Sequence, residues 1–91
     1  MQFGVFSVGD VTRDPASGHT PSEHERIKAL TNLAVKTEEV GLDVFAIGEH
    51  HNPPFAISSP TTFLANVGAR TKTLQLSTAT TLITTNDPVR I

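Results

Sequence analysis

Nine acidic residues against seven basic ones give these 91 residues a formal net charge of -2, with 37% hydrophobic content, the balance of a globular chain rather than a tail. The bases Arg13, Arg26, Lys28, Lys36, Arg70, Lys72 and Arg90 stand singly, with no stripe to track a phosphate backbone, which argues against nucleic acid as a partner. Zero cysteines remove disulfides, thiol catalysis and thiolate metal sites, and no run reaches the roughly 18 apolar residues of a membrane span, so a cytoplasmic location is expected.

The opening "MQFGVFSVGD" carries Phe3, Val5, Phe6 and Val8 in a short apolar run closed by Gly9 and Asp10, predicting a buried strand of about six residues. After the turn-rich "VTRDPASGHT", the stretch "TPSEHERIKALTNLAVKTEEVG" has the marks of a helix of roughly 20 residues. Thr20 can cap it, Pro21 suits its first position and Glu23 sits where a capping box wants it. Ile27, Leu30, Leu33, Ala34 and Val40 fall on one face, and Gly41 supplies the stop.

"DVFAIG" is apolar at successive positions from Val44 to Ile47, so both faces of this second strand are expected to be buried, as in a parallel sheet. "EHHNPPFAIS" reads as a loop. "SPTTFLANVGAR" repeats the cap-plus-proline arrangement with Ser59 and Pro60 and predicts about three helical turns, with Phe63, Leu64 and Val67 inward. Ala65, Gly68 and Ala69 leave this helix small-sided, which would let another helix approach. "TLQLSTATT" predicts a third strand, and "NDPVRI" announces a further helix with Asp87 before Pro88.

Strand, helix, strand, helix, strand is the alternation that builds parallel sheets by crossover connections. Three strands and two helices leave open edges and a small core. The expectation is therefore the front of a longer α/β chain, against the alternative of a small self-sufficient domain.

In parallel α/β folds the functional groups gather beyond the carboxyl ends of the strands. Residues 9 to 19, 49 to 58 and 79 to 86 meet that description, and the second segment holds Glu49, His50 and His51. Neighbouring residues leaving a strand diverge, and no third ligand stands at a familiar spacing, so metal binding is a weak reading of the triplet. Two others stand level: acid/base work by an imidazole that titrates near neutrality, or a histidine packed beneath the Pro53-Pro54 turn. "GVFSVGD" lacks the G-x-G-x-x-G spacing of a dinucleotide fold, and no Walker loop occurs. Asp10 is either a turn former or a second carboxylate at the same mouth, and Ser77, Thr78, Thr80 and Thr81 crowd the end of the third strand with hydroxyls.

"QFGVFS", "EEVGLDVFAIGEHH", "SSP", "ARTKTLQLSTATT" and "NDPVR" together resemble the N-terminal part of the bacterial-luciferase-like flavin monooxygenases, over nearly all of the chain. The resemblance implies a (β/α)8 TIM barrel, of which residues 1 to 91 would supply the first three strands and two helices of a single domain. It implies reduced FMN at the carboxyl mouth, reaction with O2 and oxygenation of a small organic substrate. Relatives that use a deazaflavin share much of this front end, and an inactive scaffold subunit of the same fold is the non-enzymatic alternative.

Carried over by position, His50 matches the family histidine near the flavin ring and substrate, taken to assist proton transfer. Glu49 and His51 match its neighbours, in contact with substrate or supporting it. Ala79 and Thr80 match the flavin-contacting position that carries a non-prolyl cis peptide in the family, with Thr here in place of a small alkyl residue. The resemblance further implies a homodimer formed through early helices, a role with which Ala65 to Ala69 is compatible, although that stretch could equally pack within one subunit. Most of the family's phosphate contacts lie beyond these residues, so they alone are not expected to hold FMN well.

Overall fold

The computed structural model describes residues 1–91. Its elements are β1 (Gly4–Ser7), α1 (Glu23–Glu39), β2 (Val44–Ile47), α2 (Pro60–Gly68) and β3 (Gln75–Thr78). The three strands form one parallel sheet in the order β1-β2-β3, with Val5, Phe45 and Leu76 side by side and Ser7, Ile47 and Thr78 one pleat further on. The expected alternation is therefore present, with strands of four residues where the sequence predicted a slightly longer first one. No helix is long and apolar enough to cross a membrane.

Helix α1 starts two residues later than expected. Two cap signatures overlap there, and the capping box Ser22 to Glu25 prevails over Thr20-Pro21. The Glu25 amide donates to Ser22 Oγ at 3.1 Å and the Ser22 amide donates to Glu25 Oε2 at 3.3 Å. The helix ends as predicted at Gly41, whose positive φ of 86° is open to a residue without a Cβ. There the Leu42 amide reaches the Thr37 carbonyl and the Gly41 amide the Glu38 carbonyl, the paired bonds of a Schellman motif.

The buried face of α1 differs from the predicted one. Leu30, Thr31, Ala34 and Thr37 are buried, whereas Ile27, Leu33 and Val40 are exposed. Threonine can enter the interface because its hydroxyl is satisfied on its own helix: Thr31 donates to the Ile27 carbonyl and Thr37 to the Leu33 carbonyl. Thr31 also accepts from Asn66 Nδ2 of α2 at 3.2 Å, while Ile27, Leu33 and Val40 are left exposed.

The core gathers Leu30, Ala34, Phe45, Ile47, Ile57, Phe63, Leu64, Val67 and Leu74, with Val5 and Leu76 packed against it. Phe45 of β2 meets Phe63 of α2 at a ring-centroid distance of 6.4 Å. Only this side of the sheet is covered. Val44 and Ala46 on the other side of β2 are half-buried and Phe6 of β1 is 57% exposed, which corrects the expectation that both faces of β2 are buried in this chain. Ser59 does stand at the N-cap of α2, with Pro60 next, but its hydroxyl pairs with Thr62 instead of a backbone amide.

One side chain joins the far ends of the two layers. Glu38, in the last turn of α1, accepts the backbone amides of Lys72, Thr73 and Leu74 at 2.7 to 3.0 Å and so sets the entry into β3. These donors hold its carboxyl below the ordinary value. At the other edge of the sheet, a Cβ on Gly4 would lie 2.5 Å from the Val44 carbonyl oxygen. Gly4→Ala is accordingly expected to lower stability by about 1 to 3 kcal/mol, read as a lower urea midpoint at unchanged slope.

Candidate functional site at the carboxyl mouth

All three strands run the same way, so their carboxyl ends open on one side, where three connecting segments meet. They are stitched together by backbone bonds. The Gly48 amide donates to Ser7, the Ala79 amide to Ile47, the Ala56 amide to Gly9 and the Val11 amide to Pro54, while Asp10 and Phe55 form an antiparallel bridge. Asp10 is thus part of a bridge between loops. The Arg26 guanidinium secures it, donating to the Asp10 carbonyl at 2.7 Å and to its carboxylate at 3.2 Å, and Thr12 donates to the same carboxylate. The Thr12 hydroxyl bond, with Arg26 in support, holds the Asp10 carboxyl below its usual range despite partial desolvation.

The triplet after β2 separates into three environments. Glu49 is a buried carboxylate, with its side chain 1% exposed. It accepts from the Leu82 amide at 2.9 Å, from Thr85 Oγ1 at 3.1 Å and from Asn86 Nδ2 at 3.3 Å, and it shares a 2.6 Å hydrogen bond with His51 Nε2. The Leu82 amide is the largest of the influences that bring its carboxyl below 4.5, against the opposing pull of burial. His51 lies at the surface, tethered to that carboxylate.

His50 turns away from both. It is half-buried, its ring stacked on Phe55 at a centroid distance of 4.0 Å and an interplanar angle of 18°, and its amide is held by the Ile57 carbonyl. Neither ring nitrogen is hydrogen-bonded within the chain. The stack occupies one face of the imidazole and leaves its edge available. The two histidines therefore diverge, as adjacent residues leaving a strand should.

Below His50 the floor is bare backbone. Gly48 is buried, and a Cβ there would meet the Ala79 carbonyl oxygen, His50 Nε2 and Val8 Cα, each at 3.6 Å. One point is thus contacted from the ends of all three strands, a cradle that a single methyl group would fill. Ala79 and Thr80 are exposed at the end of β3, and the peptide bond between them is cis, as is that between Pro53 and Pro54. Thr81 donates to Thr78 Oγ1 and Ser77 to the Thr78 carbonyl, so the predicted hydroxyl cluster is largely spent on local bonds. The largest cavity, about 500 Å3, lies elsewhere, between α1 and α2 beside Ile27, Lys28, Phe63 and Arg70. The mouth is a shallower surface because β1 and β3 are both sheet edges and nothing walls it on two sides.

A sequence model of the Luciferase-like monooxygenase family matches residues 1–91, the whole length in which this mouth is built. The chain belongs to that family. An alkanal monooxygenase alpha chain from a Kryptophanaron alfredi symbiont is 36% identical over 91 residues, a stretch that covers 99% of this chain and 24% of that one. The chain thus spans about a quarter of the length of this curated relative. Of the expected residues, His50 and Ala79 approach one point at Gly48, with Thr80 next along the chain, whereas Glu49 is turned to Leu82, Thr85 and Asn86 with His51 on its outer side.

Sequence reasoning missed Phe55, Thr85 and Asn86. Phe55 left one signal, a lone aromatic in a polar, proline-rich loop. Thr85 and Asn86 left none, since they lie 36 and 37 residues beyond the Glu49 they hold.

Proposed function

We propose that residues 1 to 91 form the N-terminal portion of a single (β/α)8 barrel domain in a flavin-dependent monooxygenase that uses reduced FMN and O2 to oxygenate a small organic substrate. The observation that carries this reading is the cradle at the mouth: bare backbone at Gly48, the Ala79 carbonyl and the edge of His50 meeting at one point. A flat heterocycle suits such a floor, since planar rings need close approach and few side chains beneath them. Gly48, Ala79 and Thr80 would lie against its ring system, and His50 would face the reacting substrate.

Bound reduced flavin would supply the two electrons with which one atom of O2 enters the substrate while the other leaves as water. His50 would hold or move a proton at a ring nitrogen, which its stack on Phe55 leaves free. Glu49 would keep the segment after β3 in place, and His51 would support Glu49 from the solvent side. The uncovered face of the sheet, with Phe6, Val44 and Ala46, supports closure by further strands into a barrel. The exposed Ala65 and Ala69 support a homodimer approached through α2, and we place the protein in the cytoplasm.

By likeness to the alkanal monooxygenase, an alkanal is the substrate class to try first. The balanced reaction converts aldehyde, O2 and reduced FMN to carboxylic acid, oxidised FMN and water. The complete protein is expected to form the acid only when reduced FMN and O2 are both present. Acid formation or substrate oxidation with a reduced or oxidised deazaflavin alone would move the assignment to the deazaflavin branch. No product with either cofactor would favour the scaffold reading.

A further inference from the structure

We propose that Phe55 is a positioning residue that fixes the plane of the His50 ring, an inference that rests on the acid/base reading of His50 given above. His50 has no hydrogen bond to orient its imidazole, in contrast to His51, which Glu49 holds at 2.6 Å. What it has is the Phe55 ring, nearly parallel at 18° and 4.0 Å away. An offset stack of this kind defines the orientation of a ring while leaving its edge atoms unengaged.

Phe55 can do this because its own backbone is clamped on both sides. Asp10 and Phe55 form the antiparallel bridge, the Val11 amide reaches the Pro54 carbonyl at 2.6 Å, and the Ala56 amide reaches the Gly9 carbonyl at 2.9 Å. Arg26 of α1 in turn grips Asp10 through its carbonyl and its carboxylate. A surface loop residue would otherwise be free to swing. Here the first connecting segment holds the second, and the second supplies the surface on which His50 rests. The clamp acts through main-chain atoms, so the Phe55 side chain can be exchanged without undoing it.

The test pairs Phe55→Leu, which keeps apolar bulk but removes the ring, with Phe55→Tyr, which keeps the ring. Both are made in the complete protein alongside His50→Ala. In histidine-labelled protein, the His50 ring protons of Phe55→Leu are expected to move downfield as the neighbouring aromatic ring current is lost, and those of Phe55→Tyr to stay. Turnover is expected to fall about tenfold in Phe55→Leu with the affinity for reduced FMN little changed, because a displaced proton-transfer group costs rate rather than binding, and to recover in Phe55→Tyr. Unmoved His50 protons in Phe55→Leu would overturn the stack itself. Full turnover in Phe55→Leu with His50→Ala impaired would overturn the positioning role alone. Full turnover in both variants would overturn the acid/base reading beneath it.

Discussion

Replacing His50 by Ala is expected to lower turnover by about 10^2- to 10^4-fold, the usual contribution of a positioned acid/base group, while reduced FMN still binds within a few-fold of its original affinity. The geometry separates these two quantities. Binding of a flat ring system would draw on the backbone of Gly48 and Ala79, which the substitution leaves in place, whereas the ring nitrogens are lost outright. The stability cost should be small, on the order of 1 kcal/mol for one stacked pair at a half-buried site. A large fall in product yield with a nearly unchanged melting temperature is therefore the signature to look for. His51→Ala provides the contrast. It removes one tether from Glu49 and leaves the amide, hydroxyl and carboxamide donors, so only a modest loss of turnover is expected. If single-turnover product yield with His50→Ala equals that of the unaltered protein, the proton role is excluded and His50 becomes a packing residue for the Phe55 loop.

The neighbouring residues show how the fold divides labour at this mouth. A β-strand sends successive side chains to opposite faces, and the chain then bends, so Glu49, His50 and His51 cannot share one environment. Glu49 goes inward to satisfy the segment from Leu82 to Asn86, His50 settles on the loop from the same strand, and His51 stays outside as a tether. The result is one carboxylate spent on structure and one imidazole left with its edge free. The reverse assignment, a catalytic Glu49, would require a carboxylate that already accepts several donors to give some of them up.

The order of elements was legible because it depends on local signals: apolar runs, proline at first helical positions, glycine at a helix end. Their limits were less so, as with α1, where two cap signatures stand two residues apart and only the reciprocal bonds of Ser22 and Glu25 decide between them. The inward face of α1 was misread because hydrophobicity alone selects Ile27, Leu33 and Val40. Nothing in the pattern reveals that Thr31 and Thr37 can bury themselves by bonding to their own helix. Buried faces on β2 were overcounted for a different reason. Its run from Val44 to Ile47 is apolar at every position and so does not reveal that only Phe45 and Ile47 are buried. At the site, the position of His50 could be read from the strand end that precedes it, but its stack on Phe55 could not, since the loop geometry that brings the rings together is set by bonds to the first connecting segment. The roles of Glu38 and Glu49 were hidden most completely. Each is a carboxylate whose donors come from a segment more than 30 residues away, a contact for which the sequence carries no periodicity.

Glu49→Gln is expected to be the most damaging isosteric change in the chain, lowering both melting temperature and turnover. A carboxylate presents acceptors on both oxygens, and both are used: Oε2 takes the Leu82 amide, while Oε1 faces His51, Thr85 and Asn86. A carboxamide has one oxygen and one NH2 group. Turned with its oxygen on the Leu82 amide, the carboxamide points its NH2 at the Asn86 NH2, donor against donor, and must draw on Thr85 Oγ1 or His51 Nε2 as acceptors in place of a charge-assisted bond. The segment from Leu82 to Asn86 should then detach from the mouth, with its amide hydrogens exchanging at least about tenfold faster. The pH dependence follows from the lowered carboxyl pKa. A depressed folded-state value means that Glu49 contributes stability in full above its ordinary value of 4.5 and loses that contribution as pH falls through the depressed value. The stability gap between the unaltered protein and Glu49→Gln should therefore be widest near neutrality and shrink in acid. Asp10 and Glu38, lowered by their own donors, weaken both proteins alike over the same acid range and drop out of the difference. Denaturant midpoints measured for the pair from about pH 7 down to about pH 3 test this directly. A gap that stays constant across that range would mean that the charge on Glu49 does not hold the third connecting segment, and the loop would have to be secured by the hydroxyl and carboxamide contacts among Leu82, Thr85 and Asn86 themselves.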